Sequence, residues 1–187
     1  MQRHQLLTLL RQHTPADANE ADMTAQTIAF VEANPNCLER SLLEGHITGS
    51  AWILSAGNVP GSPSAEPTVL LIHHRKLDRW FQPGGHADGD PDVAAVALRE
   101  AQEETLLTDV QLVSPAIFDV DIHPIPTKGD LPEHLHYDIR FLFTANRDEA
   151  LGGENREVKG IRWVSLDEAD QLSNSESISR MVRKTRL

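Results

Sequence analysis

Apolar positions follow two rhythms along the chain: some recur every three to four residues, others run in short unbroken stretches. Leu6, Leu7, Leu9 and Leu10 recur at helical spacing within residues 2–12. DMTAQTIAFVEA (22–33) predicts a second helix, capped by Asp22 or Thr24. Both precede the first convincing strand, so residues 1–44 are expected to form an N-terminal helical extension whose leucine face serves packing. HITGSAWILS (46–55) reads as a strand, GNVPGSPSAEP (57–67) as a loop dense in Gly, Pro and Ser, and TVLLIHH (68–74) as a buried strand. Trp80 and Phe81 lead into a turn at Pro83-Gly84-Gly85. A helix follows over about 92–105, then strands near 110–122 and 137–145, IRWVSL at 161–166, and a last helix in SESISRMVRKT. Strands before and after a central helix, with helices at both ends, predict a layered α/β domain over 45–187.

The central helix carries the first chemistry. Asp90-Pro91 makes a suitable start, an aspartate cap followed by proline at the first helical position, and Asp92 suits the positive first turn. VAAVALREA is nearly free of polar groups until Arg99, as in a helix buried on most of its circumference. Glu100, Glu103 and Glu104 then share one face, within about 60° of Glu100 at 100° per residue. Three like charges repel one another, and the C-terminal half of a helix disfavours them further. A divalent cation removes that cost, and carboxylate oxygens select magnesium, manganese or calcium. A solvated glutamate face is the plain alternative. The adjacent glycine pair weighs against it, since glycine lets a backbone carbonyl approach a metal or phosphate unobstructed.

Charge sharpens this expectation. A formal net charge of −11 argues against sequence-independent binding to nucleic-acid polymers or anionic membranes. An anionic substrate therefore needs a local cation to reverse the field. No run reaches the roughly 18 apolar residues of a membrane span, and the N-terminus lacks the pattern of a signal peptide. The single cysteine, Cys37, fits a reducing cytoplasm.

Residues 85–107 resemble the signature of the Nudix hydrolase family. That signature is a glycine, five residues, a glutamate, seven residues, then Arg-Glu-apolar-x-Glu-Glu-x-Gly-apolar. Gly85 is the opening glycine, Arg99-Glu100-Ala101-Gln102-Glu103-Glu104 matches in full, and Leu107 closes the motif. Pro91 replaces the first glutamate, so Asp90 or Asp92 is expected to pair with Arg99 instead. Leu106 replaces the late glycine, which should alter the turn leaving the helix. The resemblance implies a Nudix-type α/β/α sandwich with a mixed sheet. It also implies magnesium-dependent hydrolysis of a diphosphate linkage, with manganese as an alternative ion. Glu103, Glu104 and the Gly84 carbonyl become the implied ligands, and Glu100 the base or a further ligand. Arg99 would orient a glutamate. In several relatives a later glutamate completes the site; Glu157 is the best candidate and Glu154 the second, against a plain loop glutamate.

His86 and Asp88 follow the glycine pair, and DVDIHPIP adds Asp121 and His123. Strand alternation puts His134, His136, Asp138 and Arg140 on one face, either a substrate groove or a solvated sheet face. Gly85, His86, His136 and Arg140 are the expected substrate-binding residues. A separate histidine metal site is not favoured, because alternation alone fixes no ligand spacing. Trp80, Phe81 and Tyr137 could stack on a base, or serve the core. The substrate stays open among dinucleotides, nucleotide sugars such as ADP-ribose, and non-standard nucleoside triphosphates. A catalytically silent nucleotide-binding or regulatory domain is the alternative, and a structural glutamate face in a protein interface is a third reading. The N-terminal helices could support a homodimer.

Overall fold

The computed structural model describes residues 3–56, 67–75, 78–127, 129, 131–152 and 158–187. The expected loop at 57–67 therefore lies outside the described residues, except for Pro67.

Two helices open the chain, α1 (His4–Gln12) and α2 (Ala18–Ala33). Leu6 and Leu10 are buried, one turn apart on the same side of α1. The second helix starts earlier than the apolar pattern suggested, because its cap is Asp17 rather than Asp22 or Thr24. The Asp17 carboxylate accepts the Glu20 N–H at 2.8 Å. Thr24 lies inside the helix and donates to the Glu20 carbonyl, while Asp22 pairs with Gln26.

The strands are β1 (Gly45–Ser55), β2 (Thr68–His74), β3 (Arg79–Phe81), β4 (Gly84–His86), β5 (Val110–Leu112), β6 (Asp119–Ile125), β7 (His134–Ala145) and β8 (Val158–Ser165). Helix α3 (Val93–Thr105) follows β4. Its cap is Asp92, which accepts the Ala95 N–H at 3.1 Å; Asp90 and Pro91 precede the helix, and Asp90 accepts the Asp92 N–H at 3.0 Å. The expected strand at 110–122 divides into β5 and β6, with Pro115 between them, a residue that has no N–H to give a ladder. The sequence pattern missed α4 (Leu166–Ser173), a short helix capped by Ser165 and followed by Asn174 in the left-handed region. The last helix is α5 (Glu176–Thr185).

Among the described residues the strands form one eight-stranded sheet with the order β3-β2-β1-β7-β5. Off that path, β4 pairs with β1, β6 with β7 and β8 with β2. The fold is α/β, a mixed sheet with helices on both sides.

The expected turn at Pro83-Gly84-Gly85 is extended. Gly84 and Gly85 begin β4 and lie opposite Ser50 and Gly49. Neither glycine has a positive φ, so close approach is the reason for glycine here. A Cβ on Gly84 would strike Ser50 Oγ and come within 2.9 Å of the Gly49 carbonyl, and one on Gly49 would sit 2.7 Å from the Val93 carbonyl.

The chain divides into two compact units. The first comprises Met1–Ser50, Gly84–Ala97 and Pro115–Phe141. Its core holds Leu6, Leu10, Val31, Ile47, Val96, Val120, Ile139 and Phe141. Glu20 is fully buried there: its carboxylate takes the Ala16 and Val120 N–H groups at 2.6 and 3.2 Å and faces His13 Nε2 at 2.8 Å. Cys37 is buried with a free thiol, and burial raises its pKa. The second unit comprises Ala51–Pro83, Leu98–Ser114 and Leu142–Leu187. Trp52, Leu70, Leu71, Phe143, Val164 and Met181 are buried in it, and the Trp52 indole donates to Thr185 Oγ1 at 2.9 Å. No helix of the described residues is long and apolar enough to cross a membrane.

Candidate active site

In the first unit, polar side chains collect on one face of β1, β4, β6 and β7. Alternation places His46, Thr48 and Ser50 together on β1, and the register sets Thr48 opposite His86. On β7 the same rule groups His134, His136, Asp138 and Arg140, as expected; pairing with β6 sets His123 opposite His136, Asp121 opposite Asp138 and Asp119 opposite Arg140.

The part of this face around Arg140 is closed to solvent, while His86, His123 and His136 are half-buried. Arg140 is 2% exposed and each of its nitrogens donates to a carboxylate: Nε to Asp138 at 2.7 Å, Nη1 to Asp119 and Nη2 to Asp121, both at 3.1 Å. Thr48 and Ser50 add hydroxyl donors to Asp138 at 2.9 and 2.8 Å. Three carboxylates hold the guanidinium charged, with its pKa raised despite burial. Arg140 thus braces the sheet, with its fork already engaged.

Beside this cluster lie five imidazoles. The His46 ring centroid is 4.9–5.0 Å from those of His86, His134 and His136, and His123 is 5.5 Å from His136. Desolvation is the largest influence on three of them: it lowers the pKa of His46, takes His86 to about 4 and His136 to about 2. At neutral pH those rings are uncharged. Asp88, weighed as a phosphate-facing residue, receives two hydrogen bonds from the Arg40 guanidinium. Tyr137 stacks on Phe30 at 3.9 Å.

The second unit carries the glutamates. Glu100 and Glu104 are partly exposed and Glu103 is exposed on the C-terminal half of α3. Arg99 Nη2 lies 3.6 Å from Glu100 Oε1, which fits an orienting arginine. The helix ends at Thr105, and Leu106 after it, with a φ of 59°, takes the left-handed conformation for which the signature's late glycine is suited. Glu149 holds the exit by accepting the Thr108 N–H and hydroxyl at 2.7 Å. Trp80 is stacked on His73 at 4.6 Å, with the Arg162 guanidinium 4.7 Å over its ring, so protein groups already cover it. Glu157 and Glu154 lie outside the described residues.

Sequence reasoning passed over His46, Thr48, Ser50 and Asp119. The signal was present in the alternation of HITGS, polar at every second position beside a strand rich in aliphatic residues.

The NUDIX domain family model matches residues 51–184, from within β1 to within α5. A bis(5'-nucleosyl)-tetraphosphatase (asymmetrical) of Rattus norvegicus is 29% identical over 119 residues, covering 60% of this chain and 70% of that protein. An RNA pyrophosphohydrolase of Acidiphilium cryptum is 26% identical over 132 residues, covering 67% of this chain and 71% of that one. Among solved structures, an Ap4A hydrolase binary complex from C. elegans has a TM-score of 0.56 at 18% identity, covering 74% of this chain and 93% of that one. At that identity the likeness speaks for the fold.

Proposed function

Because the chain belongs to the Nudix family and is a Nudix-type hydrolase acting on pyrophosphate bonds of nucleotide derivatives, we propose that it cuts a diphosphate linkage in a nucleoside diphosphate derivative with the help of magnesium. The carrying observation is the complete run Arg99-Glu100-Ala101-Gln102-Glu103-Glu104 on α3.

The donor set fits the ion. Three carboxylates stand at helical spacings that share one face, partly or fully open to solvent, and their oxygens suit a small divalent cation. Glu103 and Glu104 would hold magnesium, or manganese in its place, with Glu100 as a further ligand or the base. When bound, the ion supplies neutralisation of the charge that develops at phosphorus. Glu100 accepts the proton of the attacking water, and Arg99 holds that carboxylate in position. Gly85 offers main chain without a side chain in the way, and His86 contributes a neutral imidazole toward substrate. Arg140 acts on substrate only indirectly, by fixing β6 against β7. Glu157 is retained as a later carboxylate of the site on the strength of its place before β8.

The relatives act, by name, on a dinucleoside tetraphosphate and on RNA. The substrate class here spans dinucleotides, nucleotide sugars such as ADP-ribose and non-standard nucleoside triphosphates. Residues 45–187 form the proposed hydrolase domain and 1–44 its helical extension; cytoplasmic residence and a homodimer belong to the same reading.

The test is a screen of nucleotide diphosphates with magnesium, reading phosphate after phosphatase coupling. On a substrate so identified, Glu104→Gln should lower kcat at least 100-fold while circular dichroism and the urea midpoint stay unchanged. Full activity in Glu104→Gln would remove the glutamates from the mechanism.

A further inference from the structure

We propose that His46, His134 and His136 form a zinc site, separate from the glutamates of α3. Alternation along β7 left the ligand spacing open, but the fold sets the His46 ring of β1 at 5.0 and 4.9 Å from those of His134 and His136. One ligand atom from each of the three residues lies within 4.8 Å of the other two. Around a tetrahedral ion with bonds of about 2.0–2.1 Å, nitrogens stand roughly 3.4 Å apart, so side-chain adjustments of about 1 Å complete the site.

The hydrogen bonds say which lone pairs are available. His134 Nδ1 meets the Pro132 carbonyl at 3.0 Å, and His46 Nδ1 meets the Leu42 carbonyl at a longer 3.5 Å. A carbonyl only accepts, so Nδ1 carries the proton in each ring and Nε2 keeps its lone pair. A backbone carbonyl behind the ring is also the usual support of a metal-ligating histidine. His46 Nε2 and His136 Nε2 are buried without a hydrogen-bond partner among the described residues. Native interiors rarely leave such atoms unsatisfied, and here two fall in one cluster.

Charge and donor type agree. The side chains of Asp119, Asp121, Asp138 and Arg140 carry formal charges of three negatives and one positive, a sum of −2 on the same sheet face. A dication held by neutral ligands offsets that excess. Imidazole suits zinc and its neighbours in the transition series and is a poor choice for magnesium. Three protein ligands leave a fourth position for water, for His86 at 5.0 Å from the His46 and His136 rings, or for an oxygen of a bound ligand.

The experiment uses the full chain, stripped with a chelator and titrated with zinc chloride against a chromophoric competitor. One equivalent should bind with a Kd below about 1 μM, an affinity of more than roughly 8 kcal/mol. His134→Ala should weaken binding at least 100-fold, whereas Glu103→Gln with Glu104→Gln should leave it within threefold. X-ray absorption at the zinc edge of the wild-type protein should show imidazole nitrogens at about 2.0–2.1 Å, and this readout stands even if His134→Ala misfolds. No zinc uptake, loss of zinc with the glutamates, or a first shell of oxygen alone would each overturn the site. None of these readouts requires turnover, so the hydrolase assignment and the zinc site can fail independently.

Discussion

Replacing Glu20 by glutamine changes one oxygen to an NH2 group inside a fully buried set of donors. The carboxylate serves the Ala16 N–H through one oxygen, and the Val120 N–H and His13 through the other. Glutamine can satisfy one side only; on the other an NH2 group faces an N–H. One charge-assisted bond is lost, worth about 1.5–3 kcal/mol, and one buried donor is left unsatisfied, at about 1–3 kcal/mol. Relaxation recovers part of the sum, so the expected loss is about 3 kcal/mol, close to the cost of breaking a buried ion pair. For a chain of this length that is a fall in Tm of about 6–12 °C. Urea unfolding followed by circular dichroism measures it, with the slope checked to confirm that the unfolded state is unchanged. A loss below about 1 kcal/mol would refute the reasoning: α1 and α2 would then be appended to the first unit without holding it together.

Leu106→Gly should stabilise the protein by about 0.5–1 kcal/mol in urea. Relief of roughly 1–2 kcal/mol of left-handed strain exceeds the added freedom of the unfolded chain, and the leucine side chain is 57% exposed. A decrease would mean that its contact with Gly152 outweighs the backbone term. Acid should destabilise the chelator-treated protein through its histidines. His86 and His136 sit below the ordinary imidazole value of 6.5, at about 4 and about 2, chiefly through desolvation. The unfolded chain takes up those protons first, so their stabilisation is complete above pH 6.5 and drains as pH falls toward 4. The urea midpoint should drop across that window, less steeply in His86→Gln; identical slopes in the two proteins would contradict the burial of a neutral ring.

Four of the five helices, most strands and the glutamate face of α3 were legible because hydrophobic period and motif spacing are local properties. Caps were read less well: Asp22 and Asp90 lay close to the first apolar residues, yet Asp17 and Asp92 had the N–H three residues on within reach. The glycine pair at 84–85 reads as a bend because glycine is commonest there, and only the pairing with Gly49 and Ser50 reveals extended chain that needs clearance. Register was the larger gap. Alternation put His136 and Arg140 on one face, but it could not say that Asp119 and Asp121 stand across from them, or that His46 and His86 come alongside. For that reason Arg140 looked available to a substrate and is instead enclosed.

That enclosure bears on how β6 and β7 find each other during folding. Sliding one strand past the other by two residues keeps every side chain on its proper face, so hydrophobic burial barely distinguishes the two alignments. Arg140 does distinguish them, since the slipped hairpin would set it opposite Ile117 or Asp121 and strand at least one aspartate in the interior without its cation. The buried cluster thus serves as an alignment key for the hairpin, penalising the one error that apolar patterning overlooks.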